Sequence, residues 1–553
     1  MGGLTAGGAI FPRLKALGVD YVFANSGTDF PPVIEGVTEA AARGLTLPRA
    51  ITCPHEHAAV SMAHGVWLMT GRAQAVMLHT NVGLANGAIG AINAACEHVP
   101  MILMSGRTPV TEAGRFGART VPIGWGQEMF DQAALVREAC KWDYELRFPE
   151  QIGPLLDRAH AIANSTPEGP VYLSLPREVL CAPVAAEGLD VRPSMRPARA
   201  APDPGAVAEA ARWLAAAERP LVIAQRGCGS AAAFDAFGAW AWDWAMPVAS
   251  WWATHLAIAT DHPCHVGADP GPWLAEADVV LVVNALAPWW PDEHPLNPGA
   301  KVIQLGPDPL FARAPVRTFP ADLALTGETD AALMALIEAM GPAPDDALAA
   351  RRQTLQDRPA PPPLTEGRLT KAHVAEALGR ALGDADSTVF SELGVPLWHL
   401  PRRAHLSWFQ EPHSGGLGWA FPAAMGATLA APGRTIVATM GDGSYIFSNP
   451  TACHQIAEAL GLALLVVVLN NGEWGAVRGS VSQLYPDGVA ARTNAMPLTG
   501  LSPSPDFVKV AEASRAWARR VERADDLQGN IAEALATVAE GRLALLDIRV
   551  SPD

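Results

Sequence analysis

Two short polar segments stand where a sheet could present them to a ligand: Gly441-Asp442-Gly443-Ser444 and, after the 26 residues Ser444–Leu469, Asn470-Asn471. Gly441 directly follows the apolar run Thr435–Met440, and Asn470 directly follows Leu464–Leu469, with the helical pattern Thr451–Leu460 between them. A strand, helix and strand so arranged place both segments at the carboxyl ends of parallel strands, the edge where open α/β sheets bind ligands. The carboxylate of Asp442, the amide oxygen of Asn471 and a nearby backbone carbonyl, that of Glu473, make a hard-oxygen set suited to Mg²⁺, with diphosphate oxygens completing the octahedron. Gly443 permits close backbone approach, and the Ser444 hydroxyl can donate to a phosphate oxygen near a helix start. Taken singly, Asp-Gly and Asn-Gly are ordinary turn dipeptides.

Three further segments share this character. Pro54-His55-Glu56-His57-Ala58-Ala59 opens a helical pattern that reaches Ala63-His64-Gly65, and Glu392-Leu393-Gly394-Val395 follows the strand candidate Thr388–Ser391. The third is Ser414-Gly415-Gly416-Leu417-Gly418-Trp419-Ala420-Phe421-Pro422-Ala423-Ala424. Together with the Gly441 and Asn470 segments, they give the chain a resemblance over nearly its whole length to the three-domain thiamine-diphosphate enzymes. That family includes acetolactate synthase, pyruvate oxidase, benzoylformate decarboxylase and oxalyl-CoA decarboxylase.

The resemblance implies that thiamine diphosphate and Mg²⁺ are the cofactors. It gives Glu56 the hydrogen bond to N1′ of the aminopyrimidine, which favours the imino tautomer that deprotonates the thiazolium carbon. Proton exchange with so weak a base calls for a carboxyl group kept away from water. The plainer alternative is that Glu56 only favours the start of the helix after Pro54. By the same resemblance the Gly415 carbonyl accepts from the 4′-amino group, and Leu417 wedges the two cofactor rings into a V. Gly394 and Val395 line the diphosphate with Gly441, Gly443 and Ser444, while Asp442, Asn471 and the Glu473 carbonyl hold the metal.

On the substrate side, Leu78-His79-Thr80-Asn81 aligns with the loop in which benzoylformate decarboxylase carries a catalytic histidine, so His79 is a candidate for proton relay or carboxylate orientation. Its alternative is a satisfied structural histidine. Gly126-Gln127-Glu128-Met129 resembles the FQE segment of acetolactate synthase and pyruvate oxidase, with glycine in place of the phenylalanine, and there Gln127 would contact the intermediate. Trp289-Trp290 lies where relatives direct a loop over the active site, or is interface packing. Trp474–Ser480 has the composition of a mobile cover. Gly227-Cys228-Gly229-Ser230 is too short a match for a dinucleotide fingerprint, and whether the chain binds FAD or CoA stays open. The reading is a 2-oxo-acid enzyme, acetolactate-synthase-like carboligase ahead of simple decarboxylase or acyl-CoA lyase. A non-catalytic homologue and a nicotinamide dehydrogenase rank behind.

The elements that must hold these residues are α/β in rhythm. Short apolar runs (Tyr21–Ala24, Ala75–Leu78, Met101–Met104, Val171–Leu175) alternate with helical stretches such as Ala58–Met69, which reads as amphipathic. A second series begins at Pro220–Ala224 and runs through Val279–Val283 and Lys301–Leu305, and a third ends at Leu543–Val550. The expectation is three domains, each a mostly parallel sheet flanked by helices. They span residues 1–185 (pyrimidine-binding), 200–340 (central) and 367–553 (diphosphate-binding), with a Pro-rich linker at 341–366. A length of 553 residues and 49% apolar composition suit several cores and subunit interfaces. The net charge of −16 and the lack of a basic run argue against nucleic acid. Seven scattered cysteines, without CxxC, suit a reducing cytoplasm, and no apolar run is long enough for a membrane span. By the resemblance, Glu56 and Asp442 serve one site from different subunits, so the partners are a 2-oxo acid or acyl donor and a second copy, in a dimer at least, with dimer against tetramer left open.

Overall fold

The computed structural model describes residues 4–185, 189, 191–344, 348–356, 360, 363–364 and 368–551. Among the described residues three wholly parallel sheets carry the fold, beside a short antiparallel pairing of Leu4–Thr5 with Pro183–Val184. The first contains β1 (Tyr21–Ala24), β2 (Arg49–Thr52), β3 (Gln74–Leu78), β4 (Met101–Arg107), β5 (Asp143–Glu145) and β6 (Val171–Pro176), in the order β2-β1-β3-β4-β6-β5. Helix α1 (Glu56–Thr70) leads into β3, and α2 (Thr80–Cys96) leads out of it. The second sheet, β8-β7-β9-β10-β11, is built from β7 (Pro220–Ala224), β8 (Val248–Ala249), β9 (Val279–Val283), β10 (Lys301–Gly306) and β11 (Leu323–Thr326), with α3 (Ala231–Asp243) on its flank.

The third contains β12 (Ser387–Glu392), β13 (Trp408–Gln410), β14 (Thr435–Gly441), β15 (Leu465–Asn470), β16 (Trp517–Val521) and β17 (Ala544–Arg549), ordered β13-β12-β14-β15-β17-β16. Its helices include α4 (Ala420–Ala430), α5 (Asp442–Phe447), α6 (Pro450–Leu460) and α7 (Gly475–Leu484). The central strands are buried on both faces, which is why they read as unbroken apolar runs.

The chain divides into two compact units. One holds residues 1–198 with 412–432 and 448–460; the other holds 199–411, 433–447 and 461–553. The segment with Gly415 and Leu417, and helices α4 and α6, therefore pack with the first sheet. This explains a departure from the sequence reading. Helix α1 is buried on nearly every side, from His57 through Val66, rather than amphipathic. The reason is backbone contact with α4: a methyl group on Gly65 would fall 1.9 Å from the Ala423 carbonyl oxygen, and one on Gly426 would fall 2.1 Å from that of Met62. The α1–α2 contact uses glycines too, with Gly83, Gly87 and Gly90 turned toward Glu56 and Val60.

Within the stretch read as a linker, Ala349–Gln356 forms a helix. Buried Arg351 anchors it by donating to the carbonyls of Trp244 (3.1 Å) and Leu214 (3.0 Å). Most of the proline run, residues 359, 361 and 362, lies outside the described residues. Among the described residues no helix is long and apolar enough to cross a membrane.

Candidate active site

In the first unit, α1 begins at Glu56, directly after extended His55. The Glu56 carboxylate is half-buried and accepts from two amides, Asn25 Nδ2 on Oε1 at 2.8 Å and Asn86 Nδ2 on Oε2. A Cβ at Gly83 would stand 3.2 Å from Oε1, so the glycine face of α2 leaves the space this side chain fills. The next residue, His57, ties the Gly415–Leu417 turn to the same helix. Its Nε2 lies 3.0 Å from the Leu417 carbonyl, and burial pushes its pKa down to about 4, so the neutral ring donates. Asn93 of α2 donates to the Gly416 carbonyl at 2.8 Å and accepts from Ser414 Oγ at 2.7 Å. Gly415 itself has φ +67° and open space around it. Glu56 and the turn of Gly415 and Leu417 are thus carried by the same two packed helices.

His79, also of this unit, sits between β3 and α2. Its Nδ1 meets Asp29 Oδ1 at 2.5 Å, and its Nε2 lies 3.2 Å from the Gln127 side-chain amide. Buried Asp29 spends its other oxygen on the Thr80 amide at 3.2 Å. The Asp29 hydrogen bond raises the His79 pKa above its ordinary value, against partial burial. The pair packs on glycine backbone: a Cβ at Gly27 would fall 2.1 Å from His79 Nδ1, and one at Gly106 would fall 1.6 Å from Asp29 Oδ2. Glu128, the neighbour of Gln127, clamps the loop rather than facing a ligand, since it takes Arg107 at 2.6 Å, Thr108 at 2.8 Å and Arg119. Burial raises its pKa, but the hydrogen bonds from Arg107 and Thr108 prevail and hold it below the usual carboxylate range.

In the second unit, Gly394, Asp442 and Asn471 sit at the carboxyl ends of adjacent strands β12, β14 and β15. Asp442 is buried and accepts from the Gly472 amide at 3.0 Å, while desolvation raises its pKa. The two asparagines separate cleanly. Asn470 is locked into the sheet by Asp547 at 2.9 Å and Arg549 at 2.8 Å, whereas Asn471 Oδ1 accepts, among the described residues, from the Glu473 amide two positions on, at 3.1 Å. The Glu473 carboxylate is held by Arg478 at 2.7 Å, and its carbonyl accepts from Gly475 at 2.9 Å with a second lone pair remaining.

The backbone here is cradled without room for side chains. A Cβ at Gly394 would meet Thr439 Oγ1 at 2.4 Å, and one at Gly443 would meet the Trp474 ring at 2.3 Å. Val395 donates to Thr439 Oγ1 at 3.3 Å, and Ser444 is buried in the first turn of α5. A Cβ at Gly441, by contrast, would meet nothing nearer than the Leu393 carbonyl oxygen at 4.0 Å. One buried carboxylate, one amide oxygen and one carbonyl on a glycine-lined edge fit a hard divalent cation carrying a diphosphate. Among the described residues no cluster of three or more His, Cys, Asp or Glu competes as a metal site.

Other segments have structural employment. Gly229 and Ser230 are tied to Asp330 at 2.7 and 2.6 Å, and Ser230 caps α3. Trp289 is buried against Phe319, and Trp290 is partly exposed. The Trp474–Ser480 stretch enters the exposed helix α7. The sequence reading missed Asn25, Asn86 and Asp29. The last carried one available signal, a carboxylate just past a strand on the edge that also bears His79.

Comparison with known proteins identifies the family. The thiamine pyrophosphate enzyme N-terminal, central and C-terminal domain models match residues 4–135, 207–336 and 395–548. A Pseudomonas aeruginosa protein named "probable 2-ketoarginine decarboxylase" is 29% identical over 99% of this chain and 94% of its own length. The benzoylformate decarboxylase of the same organism is 28% identical over 96% of this chain and 97% of its own. The solved structure of the Rhodococcus jostii RHA1 thiamine diphosphate-dependent 4-hydroxybenzoylformate decarboxylase superposes with a TM-score of 0.80 at 25% identity, covering 99% of both chains. The chain belongs to the thiamine-diphosphate-dependent family of 2-oxo-acid decarboxylases and carboligases.

Proposed function

We propose that this chain decarboxylates a 2-oxo acid to the aldehyde, with His79 delivering the proton that takes the place of CO₂. The observation that carries this reading is the line Asp29–His79–Gln127. Asp29 fixes the ring with Nδ1–H toward itself and stabilises the imidazolium, leaving Nε2 as the working nitrogen. The Gln127 amide can face either protonation state of Nε2 by flipping, so it holds the ring without blocking it.

Bound thiamine diphosphate supplies the electron sink for carbon–carbon cleavage. The chain supplies the rest. Glu56 would exchange a proton with N1′ of the bound aminopyrimidine. The Gly415 carbonyl would accept from the 4′-amino group, and Leu417 would pack against the cofactor rings. Gly394, Val395, Gly441, Gly443 and Ser444 would line the diphosphate, and Asp442, Asn471 and the Glu473 carbonyl would hold Mg²⁺. The working unit in this reading is a dimer. Apolar side chains left half exposed on α2, Val82 and Ile92 at 51% each, support a second copy as partner.

A carboligase is the second reading, and Gln127 supports it only if its amide leaves His79. Holoenzyme prepared with thiamine diphosphate and Mg²⁺ should release CO₂ and aldehyde one to one from a member of a panel containing pyruvate, benzoylformate, 2-oxoglutarate and 2-oxo-5-guanidinopentanoate. Hydroxyketone as the main product would replace this reading with carboligation.

A further inference from the structure

A small cavity lies at the carboxyl-terminal edge of the first sheet, walled by Thr28 and Asp29 after β1, Thr80 after β3, and Arg177 after β6. Arg119 and Gln127 close it from the loop beyond β4. Its volume, about 20 Å³, accommodates a water molecule or the oxygens of one small anionic group.

The lining is rich in donors. Arg177 gives three of its N–H groups to the backbone carbonyls of Gly117 (2.8 Å), Thr28 (3.2 Å) and Ala118 (2.5 Å). A guanidinium has five, and among the described residues Arg177 has no carboxylate partner. Arg119 adds a second cation, tied on its far side to Glu128. The one carboxylate in the wall, Asp29, is spent on His79 and on the Thr80 amide.

Thr80 supplies the independent mark of a ligand. The residue is 2% exposed, its hydroxyl has no partner among the described residues, and its backbone takes φ +40°, a region costly for a β-branched residue. Thr80 thus brings to the lining a buried hydroxyl whose hydrogen-bonding capacity the described residues leave unused.

We propose that this cavity is a carboxylate subsite, and that the substrate is a dicarboxylic 2-oxo acid whose second carboxylate enters it. The assignment rests on the decarboxylase reading above. Two walls of the cavity, Asp29 and Gln127, are the two partners of His79, so a carboxylate seated there belongs to a molecule lying against the proton donor. A guanidinium side chain meets Arg119 and Arg177 in the same place and is repelled.

The test uses full-length holoenzyme with 2-oxoglutarate and 2-oxopentanoate, which have the same chain length but differ in the second carboxylate. Wild type should favour the dicarboxylate by about tenfold or more in kcat/KM, and Thr80→Val should erase about tenfold of that preference, mainly through KM. Arg177→Gln should do the same, with acetate rescuing neither variant. An unchanged preference in both variants overturns the proposal, and so does activation of 2-oxopentanoate by acetate that is as strong in both variants as in wild type, which marks a separate anion site. If wild type releases CO₂ from another member of the panel above but from neither of these compounds, the proposal is overturned; if it releases CO₂ from no member, the decarboxylase reading fails. The subsite is then judged by glutarate binding: a tenfold loss in Thr80→Val upholds it, and equal binding overturns it.

Discussion

Replacing Gly65 by alanine sets two opposing effects against each other at one position. Alanine in a helix interior is favoured over glycine by about 1 kcal/mol. At Gly65, however, the added carbon would lie 1.9 Å from the Ala423 carbonyl oxygen, where ordinary contact begins at 3.4 Å. The helices α1 and α4 must part by roughly 1.5 Å, and because the obstacle is backbone no rotamer change relieves it. Overpacking of this kind costs ~1–3 kcal/mol, toward the upper figure here. The net expectation is a loss of about 1–2 kcal/mol. Gly238 in α3 is the control, since a Cβ there meets nothing within 4 Å. Gly238→Ala should gain ~0.5–1 kcal/mol from propensity alone. Urea unfolding followed by circular dichroism measures both, and thiamine-diphosphate binding should weaken only in Gly65→Ala, because α1 carries Glu56 and the His57 bond to Leu417. A Gly65→Ala protein as stable as Gly238→Ala would refute the backbone contact.

Removing the Asp29 carboxylate (Asp29→Asn) takes away the hydrogen bond that raises the His79 pKa. If protonated His79 is the donor, the rate falls as pH rises through that pKa, and in Asp29→Asn the fall should begin at lower pH in a kcat profile. Asp157 is buried against Arg13, with two contacts of 2.6 Å. Burial raises its pKa, but the hydrogen bonds from Arg13 and Ser194 outweigh that and leave it depressed. The stability it contributes is therefore present above the unfolded carboxylate pKa and lost as pH falls through the folded one. Asp157→Asn should lower stability by ~3 kcal/mol at neutral pH, and by little in strong acid, in urea titrations at the two pH values. Treatment with EDTA should release thiamine diphosphate together with the metal, and Mg²⁺ should restore both binding and turnover; Asn471→Ala should need more Mg²⁺ for the same recovery, whereas full retention without metal would contradict the Asp442–Asn471 assignment.

The central strands were legible because burial on both faces leaves continuous apolar runs; Tyr21–Ala24 and Val279–Val283 form as read. Arg49–Thr52, Asp143–Glu145 and Trp517–Val521 escaped notice because edge strands keep exposed polar side chains and carry no such run. Helix α1 was read with a polar face because its partner α4 comes from more than 350 residues further along the chain, a separation no local periodicity reports. At the site, chemistry confined to one segment could be read, as with Asp442 and its glycines. Chemistry shared between distant segments could not. The Asp29–His79 pair joins positions 50 apart. Only the contacts of Asn470 with Asp547 and Arg549 reveal which of two adjacent asparagines remains available.

In the proposed mechanism Glu56 drives proton exchange through the aminopyrimidine. This role is read from the rate of hydrogen–deuterium exchange at the thiazolium carbon of bound thiamine diphosphate, by NMR after acid quench, in wild type and Glu56→Gln. A slowing of roughly 10²–10⁴-fold in Glu56→Gln, with the cofactor still bound, is expected. Exchange at the wild-type rate in the variant would rule that role out.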